Sequence, residues 1–595
     1  MIKWFQTMKP IKSNRKVNYP FYLLCFVFIL LSILYFAEPY DDSFISYRVT
    51  KNLVNGFGFR FNPAGGKVEG FSNFLWVMLL SLFLKLGFNI VKTSSILCMW
   101  LSIGSLYLSY RLAQKFFKKF AIAVPLLIVL TDFFLINTLN GLETSLFSFL
   151  LILTCYCFLE ALDLDTSDTN RSLFFLFSSL SCFLIGLTRP EGPIVFLVLF
   201  FFLFKEKWEK LKVFAKDFLF LSLPFSILYT TYFVWRFFYF GYFFPNTYYA
   251  RQLTLFSTYG KQLAMGGFYL TSFFSDQIAF LLIIILLPLL FKKEASSSFK
   301  FLAFILLSYL GFIFLAGGDW NHMLGTWRFV MPLVPIFSLL FLQELFALSK
   351  KKNDYLILSG ICLFFILSHI KFGDTTKQPA HINFEMARRD SLATLILKTF
   401  KAPIQSIKYQ SLNFLTNKGI SHVDAKVGLW LKQNYPKKSL LASQQAGRLA
   451  YFSKLPFLDI SGLVSTHIAH LPKTDYFQKK HMDYIFSQSP DLFVFPVTVM
   501  QFKAASFFTP YFEKHGYRLS KVFCPARSFY IFDVYQRLYE TNSRSIPDNY
   551  VFYYLCLFEK VKETDPPPLN DNFKLKLIFE NKWYSISEED LMVFK

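Results

Sequence analysis

Apolar runs separated by short polar or basic segments fill the first 370 residues and then stop. A helix needs about 20 apolar residues to cross the hydrocarbon core of a bilayer. Segments approaching that length fall at 19–37, 93–110, 121–138, 145–162, 172–188, 192–205, 214–235, 275–291, 299–316, 329–347 and 353–370. The pattern predicts a mostly α, polytopic membrane protein with about 11 transmembrane helices. A further apolar stretch, 71–88, reads either as a span or as a juxtamembrane helix. Residues 371–424 are polar and read as a connector. From 425 to 595, β-type runs at 439–443, 448–452, 457–461, 492–497, 518–523 and 528–535 alternate with turns and helix-like segments, which predicts a soluble α/β domain. The run Asp-Pro-Pro-Pro at 565–568 breaks the chain before a terminal segment.

Charge gives this pattern a direction. If 71–88 is juxtamembrane, the basic segments at 1–18, 111–119, 205–212, 292–300 and 350–352 all fall on one side. Lys/Arg-rich short loops stay in the cytoplasm, so that model is preferred. It places the C-terminal domain outside the cytoplasm. The segment 19–37 has no clear small-residue cleavage site and reads as a retained anchor.

Composition agrees. Hydrophobic residues make up 54% and charged residues 17%, below the quarter or so typical of soluble chains. The net charge of +23 sits at the ends of apolar runs and forms no single basic face. That argues for anionic lipid as partner, with no nucleic acid. The 8 Cys are scattered. Cys155 and Cys157 lie inside an apolar run, and Cys524 and Cys556 lie in the soluble part, where pairing is left open.

The outer loops of this model, 38–92, 139–144, 188–192, 236–274 and 317–328, hold the acids and the turn motifs. Ionisable groups at a membrane edge are costly and mark function. Asp41-Asp42 follows the first span. Two adjacent carboxylates repel, and one held ionised by a cation or by Arg48 could serve as a general base. Asp42 or Ser43 equally suits the N-cap of a helix over 44–54. Glu69 precedes the 71–88 stretch and also suits a cap. Glu143 lies in a turn between two spans. Arg189-Pro190-Glu191 lies in another, where the Arg189 fork suits phosphate or pairs with Glu191 or Glu143. Asn246 and Tyr248 follow an aromatic run, 235–244, that reads as an interfacial belt. Asp319 and His322 close one span and Arg328 opens the next.

In this order the motifs resemble one family. They are Asp-Asp-Ser-Phe-Ile-Ser-Tyr-Arg at 41–48, Asn-Leu-Val-Asn-Gly-Phe-Gly at 52–58 and Phe-Asn-Pro-Ala-Gly-Gly-Lys-Val-Glu-Gly-Phe-Ser-Asn-Phe-Leu-Trp at 61–76. Gly-Leu-Glu-Thr at 141–144, Thr-Arg-Pro-Glu-Gly at 188–192, Pro-Asn-Thr-Tyr-Tyr at 245–249 and Gly-Gly-Asp-Trp at 317–320 follow. The set is similar to bacterial membrane glycosyltransferases of the GT-C fold, within them the mycobacterial terminal β-(1→2)-arabinofuranosyltransferases and relatives that include a Legionella membrane-protein family. The likeness covers 38–335 and continues at 445–452 (Gln-Ala-Gly-Arg-Leu-Ala-Tyr-Phe) and 458–463 (Leu-Asp-Ile-Ser-Gly-Leu).

The resemblance implies an inverting transfer from a polyprenyl-phosphate sugar donor to a glycan or glycolipid acceptor of the cell envelope. It implies Asp41 and Asp42 as catalytic acids. It places Glu69, Glu143, Arg189, Glu191, Asn246 and Asp319 at motif positions, with Arg328 a cation available to the leaving phosphate. GT-C relatives differ in metal use, so a divalent cation (Mg2+, Mn2+ or Ca2+) on Asp41 and Asp42 stays open beside none. A transporter or flippase is the competing class, expected to show an internal repeat and midplane charges, neither of which is clear here. A non-catalytic envelope-assembly protein is the third.

Overall fold

A computed structural model describes residues 19–35, 39–163, 168–207, 211–254, 259–286, 288, 296–319, 327–348, 354–369, 423–472, 479–498, 512, 515–525, 553–560, 575–579, 582–586 and 591–594. Helix α1 (Tyr19–Tyr35) leads into two short helices, α2 (Asp41–Val54) and α3 (Phe74–Lys85). The body follows as α4 (Ile90–Phe117), α5 (Ala123–Val129), α6 (Asp132–Asn137), α7 (Thr144–Ala161), α8 (Asp168–Thr188), α9 (Pro193–Lys207) and α10 (Leu211–Phe240). Then come α11 (Asn246–Thr254), α12 (Tyr259–Asp276), α13 (Ile278–Leu286), α14 (Ser297–Ala316), α15 (Val334–Leu348) and α16 (Asp354–His369).

Among the described residues, 6 helices are long and apolar enough to cross a membrane: Ile90–Phe120, Thr144–Ala161, Asp168–Thr188, Ala215–Phe240, Ser297–Ala316 and Met331–Leu348. Gln262–Asp276 and Ile278–Leu286, bent by 105°, give a seventh if they form one span. Tyr19–Ile33, Phe74–Lys85 and Pro193–Lys205 are shorter apolar helices. The sequence pattern led to about eleven, and two of its segments differ for a visible reason. The 121–138 run is split at Leu130-Thr131, where Thr131 is extended (φ −87, ψ 110) and its hydroxyl bonds back to the Leu127 carbonyl at 3.0 Å. The 275–291 run breaks between Asp276 and Ile278. The two breaks meet: Gln277 donates to Asp132 at 3.4 Å, and the Trp327 indole donates to Asp276 at 2.8 Å. Irregular backbone at membrane depth is tolerated where protein partners replace the lost hydrogen bonds.

The stretch 71–88 forms only the 12-residue α3, about 18 Å long at 1.5 Å per residue and short of a bilayer core. Aromatic packing dominates the interior. Phe196 stacks on Phe225 at 4.0 Å, Phe116 packs on Phe299 at 4.8 Å, and Phe158 on Phe301 at 4.8 Å.

The C-terminal region holds α17 (Val423–Asn434), β1 (Leu441–Ser443), α18 (Arg448–Ser453), β2 (Phe457–Asp459), α19 (Thr466–Ala469), α20 (Lys479–Ser487), β3 (Leu492–Thr498), β4 (Tyr517–Pro525), β5 (Tyr553–Lys560), β6 (Leu575–Phe579), β7 (Lys582–Ile586) and β8 (Leu591–Phe594). One sheet runs β2-β1-β3-β5-β4-β8, and β6 pairs with β7. β1 is parallel to β2 and β3, while β5 is antiparallel to β3 and β4. Residues 448–452, expected as a strand, are helical in α18. The reason is tertiary, since Asp41 accepts from the first amide of that turn. The expected strand 528–535, the connector up to 422 and the 565–568 break lie outside the described residues, as do the side chains of Cys524 and Cys556, while 423–424, expected as the connector's end, open α17.

Candidate active site

Helix α2 starts at Asp41, two residues earlier than a cap at Asp42 would start it and three earlier than one at Ser43. Its N-cap is Tyr40, which makes no side-chain cap bond. Both acids therefore sit in the first turn, where the helix dipole favours negative charge. Ser43 instead ties α2 to the loop before α7, its hydroxyl donating to the Asn140 carbonyl at 2.9 Å. Gly141 in that loop has φ +77, and a Cβ there would meet the buried Tyr47 hydroxyl, so glycine is required. The Trp76 indole donates to the Gly141 carbonyl at 3.0 Å and fixes the turn that presents Glu143.

The two acids have different partners. Asp42 accepts from Arg328 Nη1 at 2.8 Å. The same guanidinium spans Asp319, with Nε on one oxygen and Nη2 on the other at 3.2 Å. Asp319 is almost fully buried and also faces Arg251 at 3.8 Å. Asp41 faces the C-terminal region: its Oδ1 accepts from the Arg448 amide at 2.8 Å, and the Arg448 guanidinium stands 3.7 Å away. Burial pushes the Asp41 carboxyl up to about 6; the Asp424 carboxylate adds to this, the Arg448 guanidinium and amide oppose it, and Asp42 adds a little. Its side chain keeps 30% of its surface open.

A second group lies beside the first. Arg189 binds Glu191 at 2.7 Å and reaches Glu143 at 3.9 Å, so both pairings expected of it occur together. Glu191 accepts from the Tyr309 hydroxyl at 3.0 Å. Glu143 accepts from Asn73 at 2.9 Å, and Asn73 also donates to Ser46 of α2 at 3.1 Å. Phe329 joins the two groups: the guanidinium carbons of Arg189, Arg251 and Arg328 lie 4.4, 5.6 and 5.8 Å from its ring centre. Burial lowers Arg251; Arg328 and Arg189 press the same way and Asp319 opposes. Burial also acts against charge on Arg328, but Asp319 and Asp42 outweigh it and raise the group well above its ordinary value. Arg251, 26% open, is thus the least compensated cation of the three.

Four expected site residues stand elsewhere. Among the described residues, Arg48 pairs with no acid. It donates to the carbonyls of Phe61 at 2.9 Å, Leu455 at 2.8 Å and Ala450, and to Asn62 at 3.0 Å, which makes it a staple between the first loop and the C-terminal region. Glu69 caps nothing: Arg236 of α10 grips it with bonds of 2.9 and 2.5 Å. Asn246 donates to the carbonyls of Gly462 at 2.7 Å and Leu463 at 2.9 Å, while its amide donates to the Glu69 carbonyl at 3.1 Å. Tyr248 lies on the surface against Phe244, 4.5 Å between ring centres. His322 lies outside the described residues. The sequence reading missed Arg236, Arg251, Arg448, Asn73 and Tyr309. Asn73 and Arg448 fall inside the quoted motifs and Arg251 lies two residues past one, whereas Arg236 and Tyr309 sit unmarked in apolar helices.

Among the described residues, no three His, Cys, Asp or Glu side chains gather to hold a metal. Arg328 occupies the space between Asp42 and Asp319 that a bridging ion would need.

The chain resembles a Domain of unknown function (DUF8728) over residues 408–546. No curated protein matches it in sequence. In structure it is similar to the archaeal oligosaccharyltransferase AglB from Archaeoglobus fulgidus, in complex with an inhibitory peptide and a dolichol-phosphate. The identity is 12%, with 92% of this chain and 89% of that one covered, at a TM-score of 0.52. It is also similar to ArnT from Cupriavidus metallidurans bound to undecaprenyl phosphate, at 10% identity, 92% and 99% coverage and a TM-score of 0.47. At this identity the likeness to AglB shows a shared fold, the GT-C fold.

Proposed function

We propose that this protein transfers a sugar from a polyprenyl-phosphate donor to an envelope glycan or glycolipid, with inversion, on the membrane face that carries the C-terminal domain. The carrying observation is the gathering of Asp42 and Asp319 with Arg328 and Arg251, and of Glu143 and Glu191 with Arg189, around the Phe329 ring, with Asp41 beside Asp42 at the start of the same helix. The GT-C fold supports the same reading. The basic loops on the opposite side argue for the periplasmic face of a bacterial inner membrane.

Asp41 is the base. A carboxylate titrating near 6 is ionised at neutral pH yet retains proton affinity, which suits general-base work. It takes the proton of the acceptor hydroxyl as that oxygen bonds to the anomeric carbon. The carbon–oxygen bond to phosphate breaks, and its electron pair leaves on polyprenyl phosphate. Asp42 is committed to Arg328 and keeps that cation beside Asp319. Arg251, with Arg189 and Arg328 near it, receives the charge that grows on the leaving phosphate. Such preset cations act in the transition state and are worth about 10²–10³ in rate per donor removed.

The test is release of polyprenyl phosphate from a panel of polyprenyl-phosphate pentoses and hexoses by the purified chain. Glycan profiling of a deletion strain identifies the acceptor. Asp41→Asn is expected to abolish transfer with expression intact. Wild-type activity in both Asp41→Ala and Asp42→Ala would sink the assignment.

A further inference from the structure

The 445–452 motif lies against the base. Arg448 and Asp41 are 407 residues apart in sequence. The Arg448 side chain is buried, lies over the Phe44 ring of α2 at 5.4 Å and donates to the Pro39 carbonyl, just before Asp41. Gly447 makes this approach feasible. A Cβ there would overlap the Asp41 Oδ2, Cγ and backbone oxygen, so no larger residue can sit against the carboxylate without displacing it. Asp424 of α17 is buried and acts on the same carboxylate.

The seat is held rigidly. Arg48 binds the carbonyls of Ala450 and Leu455 on either side of the end of α18. Lys51 of α2 lies over the Tyr451 ring at 3.9 Å, and Phe44 packs on Tyr451 and Phe452 at 5.3 and 5.4 Å. A second clasp stands further round. Asp459 accepts from the Ser461 and Val464 amides, each at 2.8 Å, and so shapes the loop whose carbonyls Asn246 binds.

From this geometry we propose that the C-terminal domain completes the catalytic site, with Arg448 a positioning residue that fixes the Asp41 carboxylate and Gly447 the seat that admits it. The inference rests on Asp41 being the base. The charged groups acting on Asp41 are Asp42 on its own helix, Asp424 from α17 and Arg448 from α18. Arg448 is the cation among them, so its loss raises the carboxyl further and turns the carboxylate from its line to the acceptor.

The experiment is the pH profile of kcat/KM for polyprenyl phosphate release by the full chain. It compares wild type, R448Q, R448K and G447A, with thermal melts of each. Wild type should show an acid limb near pH 6. In R448Q the limb should move up by about one pH unit and kcat should fall about 100-fold, the loss expected for a displacement of about 1 Å. R448K should return the limb to its wild-type position. G447A, which removes no charge, should lose kcat with KM unchanged. It carries the test with R448K should R448Q not fold. A folded R448Q with wild-type limb and rate, or a fully active G447A, overturns the proposal while leaving the base assignment standing. An active Asp41→Asn, or a wild type without an acid limb, removes the base assignment itself and the proposal with it.

Discussion

Asp41→Asn should abolish transfer and at the same time stabilise the protein at neutral pH. The carboxyl titrates near 3.8 in ordinary surroundings and near 6 in the fold. Between those values the native state binds a proton that the unfolded chain does not, so wild-type stability falls as pH rises from about 4 to 6 and levels off above. The difference corresponds to about 3 kcal/mol at about 1.36 kcal/mol per tenfold. Water reaching the 30% of the side chain left open reduces this to about 1–2 kcal/mol. Asparagine has the same shape, and its Oδ1 still accepts from the Arg448 amide, so the substitution removes charge and keeps geometry. The assay is thermal unfolding of both proteins in the same detergent from pH 4 to 8. The variant should melt higher at pH 7.5, with the gap closing towards pH 4. A variant that melts lower at pH 7.5, or a gap that ignores pH, shows that attraction to Arg448 outweighs burial and the push from Asp424. The argument for a poised base would then fail.

Other expectations follow from the same contacts. Glu69→Gln strands the buried Arg236 and should cost about 3–5 kcal/mol in unfolding measurements; pairing it with Arg236→Met should restore much of the loss, and an undisturbed single variant would count against a structural pair. Arg251→Met removes a carboxylate contact that is long at 3.8 Å and a 3.2 Å bond to the Gly318 carbonyl, and should cost only about 1 kcal/mol of stability. It should weaken polyprenyl phosphate inhibition about tenfold, a loss of about 1.4 kcal/mol; equal inhibition of variant and wild type would place the phosphate elsewhere. Asn246→Ala removes two hydrogen bonds to the 462–463 carbonyls and should cost about 1–3 kcal/mol, with faster amide exchange in that loop. Unchanged exchange there would mean that Asn246 does not clasp the C-terminal region.

The site answers a general difficulty of chemistry at a membrane edge. Charges there are expensive unless paired. Here the carboxylates of Asp42, Asp319, Glu143 and Glu191 each have an arginine within 3.9 Å. Arg251 is held less tightly, and Asp41 faces an acid as well as a cation. These two undercompensated groups are the ones the proposed reaction uses.

The sequence alone determined that the chain is a mostly helical membrane protein and marked the ends of its apolar runs as the places where ionisable groups gather. Apolar runs of membrane length can form little else, and acids such as Asp41, Glu143 and Asp319 are affordable only at their ends. Turn residues such as Gly141 and Pro190 marked the loops because backbone conformation there is a local property. Tertiary structure decided everything that depends on which distant segments meet. Arg251 and Arg236 look like ordinary helix arginines until Asp319 and Glu69 arrive beside them. The runs at 121–138 and 275–291 read as continuous because their breaks are stabilised by each other, through Asp132, Asp276 and Gln277. The segment 448–452 has the composition of a strand and becomes a helix where Asp41 takes its first amide. Asp41 and Asp42 are adjacent in sequence and equivalent in chemistry. Only the fold separates them, because successive residues of a helix point about 100° apart: one meets Arg328 of the membrane body, the other Arg448 of the C-terminal domain.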